Sequence, residues 1–201
     1  MKKVMMILKI ILILSFFILF FTHSDSVKNI VQPSDTEKKI KLIIAGDSNF
    51  RPFEYIDENG QYVGFNVDIM KAVAEAMGIE IQFVPMAWAN AIAALENGEV
   101  DAIQGMSATK IRKAKYLFTQ PTIIQSHSIF TLKDRVDLNR IEDLKGLKVA
   151  YQHGDVLEEQ IRQMPHIIPV PYSYQANCLD ALLAQEVDAF VGNKQSAIYY
   201  L

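Results

Sequence analysis

The chain has 201 residues, of which 50% are hydrophobic, 10% aromatic and only 21% charged, with a formal net charge of −3. That is enough apolar material for one or two real cores, and it excludes a disordered or low-complexity protein. The acidic balance, with no basic patch interleaved with aromatics, excludes nucleic acid as a partner, and the single cysteine, Cys178, excludes an internal disulfide.

The amino terminus opens with Lys2 and Lys3, and after Lys9 comes the run "IILILSFFILFF", Ile10 to Phe21. As a helix this run is about 18 Å long, short of the hydrocarbon core of a bilayer but matched to the centre of a signal peptide. If Lys9 snorkels, Val4 to Phe21 reaches about 27 Å and serves as an uncleaved anchor. Residues 1–24 are therefore expected to be a signal peptide or an N-terminal membrane anchor, and either one sends the rest of the chain out of the cytoplasm. Residues 25–39 are polar and read as a linker.

Order is expected from Ile40. "KLIIAGD" is an apolar strand ending at Asp47, and "FEYIDENGQYVGF" is a hairpin in which Asn59 and Gly60 supply the positive φ angles of a tight turn and Glu54 points to solvent. "NVDIMKAVAEAM" places Val67, Met70, Val73, Ala74 and Met77 on one helical face, with Gly78 as the stop. The strand "IEIQFV", a helix across "WANAIAALEN", a glycine stop at Gly98 and the short strand "VDAIQ" follow.

An internal echo then organises the chain. "NAIAALENGEVDAIQG" at 90–105 is matched by "CLDALLAQEVDAFVGN" at 178–193, and "IKLIIAGD" at 40–47 by "LKVAYQHGD" at 147–155. Two echoes in the same order predict two similar α/β lobes, 40–122 and 123–201, with the hinge near Pro121 to Phe130. Open α/β sheets take ligands at the carboxyl ends of their strands, so two such ends facing each other make a cleft.

The stretches "GDSNFRPFEYIDENGQYVGFNVDI", "NGEVDAIQGMSATKIRKAKYLFTQP", "IEDLKGLKVAYQHG" and "VDAFVGNKQSAIYYL" together resemble bacterial extracellular solute-binding protein family 3, the polar amino-acid receptors of ABC transporters and related sensor domains. The resemblance implies an α/β, two-lobed periplasmic-binding-protein-like fold, a flytrap that closes on its ligand. It also implies that the second lobe and the return crossing to the first are incomplete at Leu201.

From composition alone Arg112, flanked by Lys110, Lys113 and Lys115, reads as one more charge on a solvated face. The resemblance implies instead that Arg112 binds a ligand carboxylate, with Gly105 offering a backbone carbonyl and Ser107 a hydroxyl. A guanidinium's planar fork suits that task. Asp47, at the end of a strand, is placed to meet a ligand ammonium, and the resemblance implies that Phe50 and Trp88 flank the ligand side chain. It likewise implies that Gln152, in the second lobe, is a polar ligand contact. Asp155, three residues before Glu158, resembles a capping arrangement whose free N–H groups favour an anion.

Asn193 stands where transporter-type members usually carry an aspartate for the ligand's ammonium. An amide accepts a hydrogen bond but supplies no negative charge. A zwitterionic amino acid then relies on Asp47, and restoring an aspartate at position 193 is expected to tighten its binding. His153, with no serine or cysteine partner at a recognisable spacing, reads as a turn residue rather than a general base.

These features predict an extracytoplasmic protein that binds a small carboxylated, amino-acid-like solute by cleft closure, without enzymatic activity, cofactor or metal. The four histidines, His23, His127, His153 and His166, show no ligand spacing. Its partners are expected to be an ABC transporter permease or a fused or associated signalling module, and the membrane if the amino-terminal segment is uncleaved. The alternative reading is a cleft enzyme of the dehydratase type, with Asp47 and Glu54 as its acid/base carboxylates.

Overall fold

The computed structural model describes residues 39–138 and 140–201. The signal or anchor segment, and the linker as far as residue 38, lie outside the described residues.

The first strand, β1 (Lys41–Asp47), is apolar along most of its length because it is covered on both faces, as parallel strands are. It lies between β5 (Glu80–Met86) and β6 (Ala102–Ile103), parallel to both, with Lys41 opposite Glu80 and Asp47 opposite Met86. Helix α1 (Phe65–Met77) connects toward β5, and α2 (Trp88–Glu96) connects β5 to β6. Ala45, Trp88, Ala91, Ala94 and Val100 form the core between sheet and helices.

The second sheet repeats this order. Strand β8 (Lys148–Gln152) lies between β9 (Ile168–Tyr172) and β10 (Ala189–Asn193), again parallel to both, so β5-β1-β6 is echoed by β9-β8-β10. The connections are α4 (Glu158–Gln163) and α5 (Gln175–Leu183). The echoed sequences therefore encode the same α/β unit twice. Cys178, fully buried, sits in the core with Leu179, Leu182 and Phe190. Each large apolar side chain so buried contributes roughly 1.5–3 kcal/mol.

Four expectations need correction. Gly60 takes a positive φ of 76° but Asn59 does not; the loop between β3 (Glu54–Ile56) and β4 (Tyr62–Val63) turns on Asp57, whose Oδ1 accepts from the amides of Asn59 and Gln61. Glu54 points inward and is only 1% exposed. On α1, Val67 is buried while Val73 and Met77 are exposed, because the described residues cover only the first turns of that face. Of the expected hinge, His127–Phe130 is a strand, β7, pairing antiparallel with β10 on the edge of the second sheet.

Candidate functional site

All nine residues singled out from the sequence line one small cavity between the carboxyl ends of the two sets of parallel strands. It measures about 30 Å³, room for about one water molecule.

From the first sheet, Asp47 ends β1 and is 2% exposed. Its Oδ1 accepts from the Asn49 amide at 2.8 Å and its Oδ2 from Gln152 Nε2 at 2.5 Å. Burial pushes its carboxyl up to about 6, against the pull of those donors. Glu54 lies beside it: Oε1 accepts from the Asp47 amide at 3.0 Å and Oε2 from Asn66 Nδ2 at 3.1 Å. Complete burial pushes Glu54 up to about 8. Phe50 both packs on Phe53, with ring centroids 4.9 Å apart, and lines the cavity.

Gly105 adopts φ +77°, and a Cβ there would lie 2.8 Å from Glu54 Oε1, so only glycine lets the chain pass this close to the buried carboxyl. After it, Thr109 caps the short helix α3 (Lys110–Lys113) by accepting from the Arg112 amide. This turn directs Arg112 inward while Lys110, Lys113 and Lys115 stay exposed, and the solvated-face reading of Arg112 fails. Its Nη2 donates to the Gly154 carbonyl at 2.8 Å, and its Nη1 to the Ser107 carbonyl at 3.3 Å. Ser107 thus meets Arg112 through its backbone oxygen. Trp88, which opens α2, donates Nε1–H to the same Gly154 carbonyl at 2.9 Å.

From the second sheet, Gln152 ends β8 and donates to Asp47 and to the Ser173 carbonyl. Around Asp155, most of the amides that could meet an anion are already bonded within the turn. Asp155 Oδ1 accepts from the Leu157 amide, Glu158 accepts from the Gly154 amide, and α4 begins only at Glu158. Burial raises the Asp155 carboxyl, with His127 and Arg112 opposing the rise. Asn193 ends β10 and caps α6 (Lys194–Tyr200): its Oδ1 accepts from the Ser196 amide at 2.9 Å. The acceptor credited to Asn193 from sequence is therefore already used by the helix cap. His153 is an exposed turn residue against Glu158.

Five further residues line the cavity: Glu54, which the hairpin pattern points to solvent, and Gln125, His127, Val156 and Gln175, which no sequence motif singles out. Gln175 opens α5 as Trp88 opens α2, each just ahead of the stretch that the internal echo pairs. His127 lies opposite Asn193 in the β7–β10 pairing.

A larger groove of about 1010 Å³ runs along the first sheet past Met70, Ile103 and Leu117. Its charged Glu96 and Lys115 pair with each other at 3.6 Å, whereas the small cavity brings an arginine and several carboxyls from both sheets to one point. The small cavity is the candidate site.

The family model of bacterial extracellular solute-binding proteins, family 3, matches residues 42–164. The arginine-binding extracellular protein ArtP of Bacillus subtilis (strain 168) is 35% identical over 132 residues, which are 65% of this chain and 51% of that protein. The chain thus spans about half the length of that relative. A histidine kinase sensor domain with similarity to periplasmic binding proteins superimposes with a TM-score of 0.77 at 32% identity, covering 81% of this chain and 72% of that one. The ancestral amino-acid-binding protein AncCDT-1, a precursor of cyclohexadienyl dehydratase, gives a TM-score of 0.73 at 33% identity, covering 80% and 73%. With two α/β units repeating one strand order, their carboxyl ends meeting at one polar cavity, and a family match over residues 42–164, this chain belongs to the bacterial extracellular solute-binding proteins, family 3, and has their two-lobed fold.

Proposed function

We propose that the cavity is the ligand cleft of a solute receptor, that it binds a small carboxylated, amino-acid-like solute, and that Arg112 takes the ligand carboxylate. The observation that carries this reading is the half-buried guanidinium of Arg112, turned away from its lysine neighbours and already aimed at an oxygen of the other sheet, Gly154 O, at 2.8 Å. A carboxylate oxygen arriving there meets preorganised donors in a partly shielded site, where a charged pair is stronger than at the surface. Asp47, Gln152 and Asp155 supply the remaining polar contacts, and Phe50 and Trp88 the apolar walls.

A cavity of about 30 Å³ is far smaller than the roughly 300 Å³ or more of small-molecule pockets. Binding therefore requires the two lobes, 40–122 and 123–201, to separate and close again around the solute, exchanging interlobe hydrogen bonds for ligand contacts. In this reading the protein works outside the cytoplasm, either as the receptor of an ABC transporter or as the sensing part of a signalling protein. ArtP's name supports amino-acid binding outside the cytoplasm, and the kinase sensor domain supports the second role.

Glu54 and Asp47 give the dehydratase reading one specific support, since both are buried carboxyls on the cleft wall with pKa values raised toward neutrality. Both Glu54 oxygens, however, accept from Asp47 and Asn66, which supports a role for Glu54 in holding the wall rather than in proton transfer.

The test is a melting-temperature panel with the twenty L-amino acids and the 2-oxo acids pyruvate, 2-oxoglutarate and 2-oxoisovalerate. A binder raises the melting point with concentration by mass action. At least one acid is expected to do so in the wild type and not in Arg112→Ala. A panel in which no acid moves the melting point defeats the reading.

A further inference from the structure

Asn193 is 1% exposed, lines the cleft, and has only one way to orient its amide. The Ser196 backbone N–H is a donor, so the atom 2.9 Å from it must be the acceptor Oδ1. The Asn193 backbone N–H is bonded to Gln175 Oε1 at 2.9 Å, which locks the residue from its other side. What remains is Nδ2, a buried group with two N–H donors and no hydrogen-bond partner among the described residues. An unpaired buried donor is costly, so the site favours whatever supplies the missing acceptor.

Resting on the reading of the cleft as a solute site, we infer that the ligand presents an acceptor oxygen, and no ammonium, to Asn193 at the end of β10. The oxygen belongs to a carboxylate, a carbonyl or a hydroxyl. Any ammonium on the ligand is left to Asp155 in the second lobe and to Asp47 across the cleft, both of which line the same cavity. The polarity of the second lobe is thus the reverse of what an aspartate at 193 would impose, and the expectation that Asn193→Asp tightens amino-acid binding reverses with it.

Asp caps a helix as well as Asn does, so Asn193→Asp keeps the contact to Ser196 while replacing the unpaired donor with a second acceptor oxygen. Asn193→Ser also keeps a cap and adds no charge. The acid that raises the wild-type melting point most in the amino-acid and 2-oxo-acid panel is titrated calorimetrically into the wild type and both variants at pH 7.5. The expected result is at least about a tenfold loss of affinity in Asn193→Asp, from two acceptors facing each other, and a loss of several-fold in Asn193→Ser. Equal or tighter binding by Asn193→Asp overturns the inference while leaving the solute site standing. Should that variant fail to fold, unchanged affinity in Asn193→Ser overturns it instead. If no acid in the panel moves the wild-type melting point, the solute-site reading falls and the inference with it.

Discussion

Gln152 and Asp47, 105 positions apart in sequence, end the central strands of the two sheets and share a hydrogen bond of 2.5 Å across the cleft. A buried bond to a carboxylate of this kind contributes about 1.5–3 kcal/mol, enough to change the balance between joined and separated lobes by roughly ten- to a hundredfold. Gln152→Ala is therefore expected to shift the ligand-free protein toward separated lobes. Trp88 is the chain's one tryptophan and bonds to Gly154 across the same cleft, so its emission reports the change. A red-shifted emission together with a larger radius of gyration is the expected outcome. If both are unchanged, the remaining contacts hold the lobes without Gln152.

Arg112→Lys keeps the charge and loses the fork. Arg112 reaches two carbonyls at once, Ser107 O and Gly154 O, with different nitrogens of one plane, a geometry a single ammonium on a flexible stem does not reproduce. The loss on titrating the best-binding acid is expected to be on the order of 2–5 kcal/mol, as for truncating one partner of a buried charge pair. Calorimetry showing lysine to bind as well as arginine would assign the carboxylate to another group.

Stability should fall with rising pH through the buried carboxyls. Glu54 is raised from 4.5 to about 8 and Asp47 from 3.8 to about 6, both chiefly by burial. In this window the native chain holds protons that the unfolded chain releases, so the native state is favoured most below about 4.5 and loses that advantage as pH rises to about 8. Glu54→Gln removes the larger part and keeps an acceptor for the Asp47 amide. Its advantage over wild type in urea unfolding is expected to be larger at pH 8.5 than at pH 5, by an amount on the order of a few kcal/mol. A gap that does not vary with pH would mean that Glu54 is ionised in the native state throughout.

Much of this architecture was readable from the sequence because it depends on patterns that repeat. Apolar runs ending in Asp47 and near Gln152, and helix-turn-strand units ending in Gly105 and Asn193, mark strand ends, and strand ends in open α/β sheets converge on ligands. Glu54 was not readable, because Phe53 and Glu54 are adjacent and both buried, at 4% and 1% exposure, which breaks the alternation a hairpin strand obeys. Val73 and Met77 complete an apolar stripe on α1 but are exposed, since periodicity shows that a face is apolar and not what covers it. The Asn193 amide orientation depends on Ser196 N–H, three residues along and visible only once α6 is in place.

Gly154 offers the sharpest separation of folding from closure. Its carbonyl accepts from both Arg112 and Trp88, and its φ of +80° lies in the region that glycine occupies freely. A Cβ at this position would lie 3.3 Å from Ala89 Cα, from Ile92 Cδ1 and from Trp88 Cδ1, all on α2 of the first lobe. Gly154→Ala therefore carries two costs of different kinds. The left-handed backbone costs about 1–2 kcal/mol whether the lobes are joined or apart, and it lowers the melting point. The methyl wedge acts only when the second lobe meets α2, so it penalises closure alone. The variant is expected to stay folded with a modestly lower melting point, to show red-shifted Trp88 emission without ligand, and to bind the best acid of the panel more weakly. A lower melting point with wild-type emission and affinity would mean that the backbone strain is present but that α2 gives way to the methyl, and Gly154 would then be a turn residue with no part in closure.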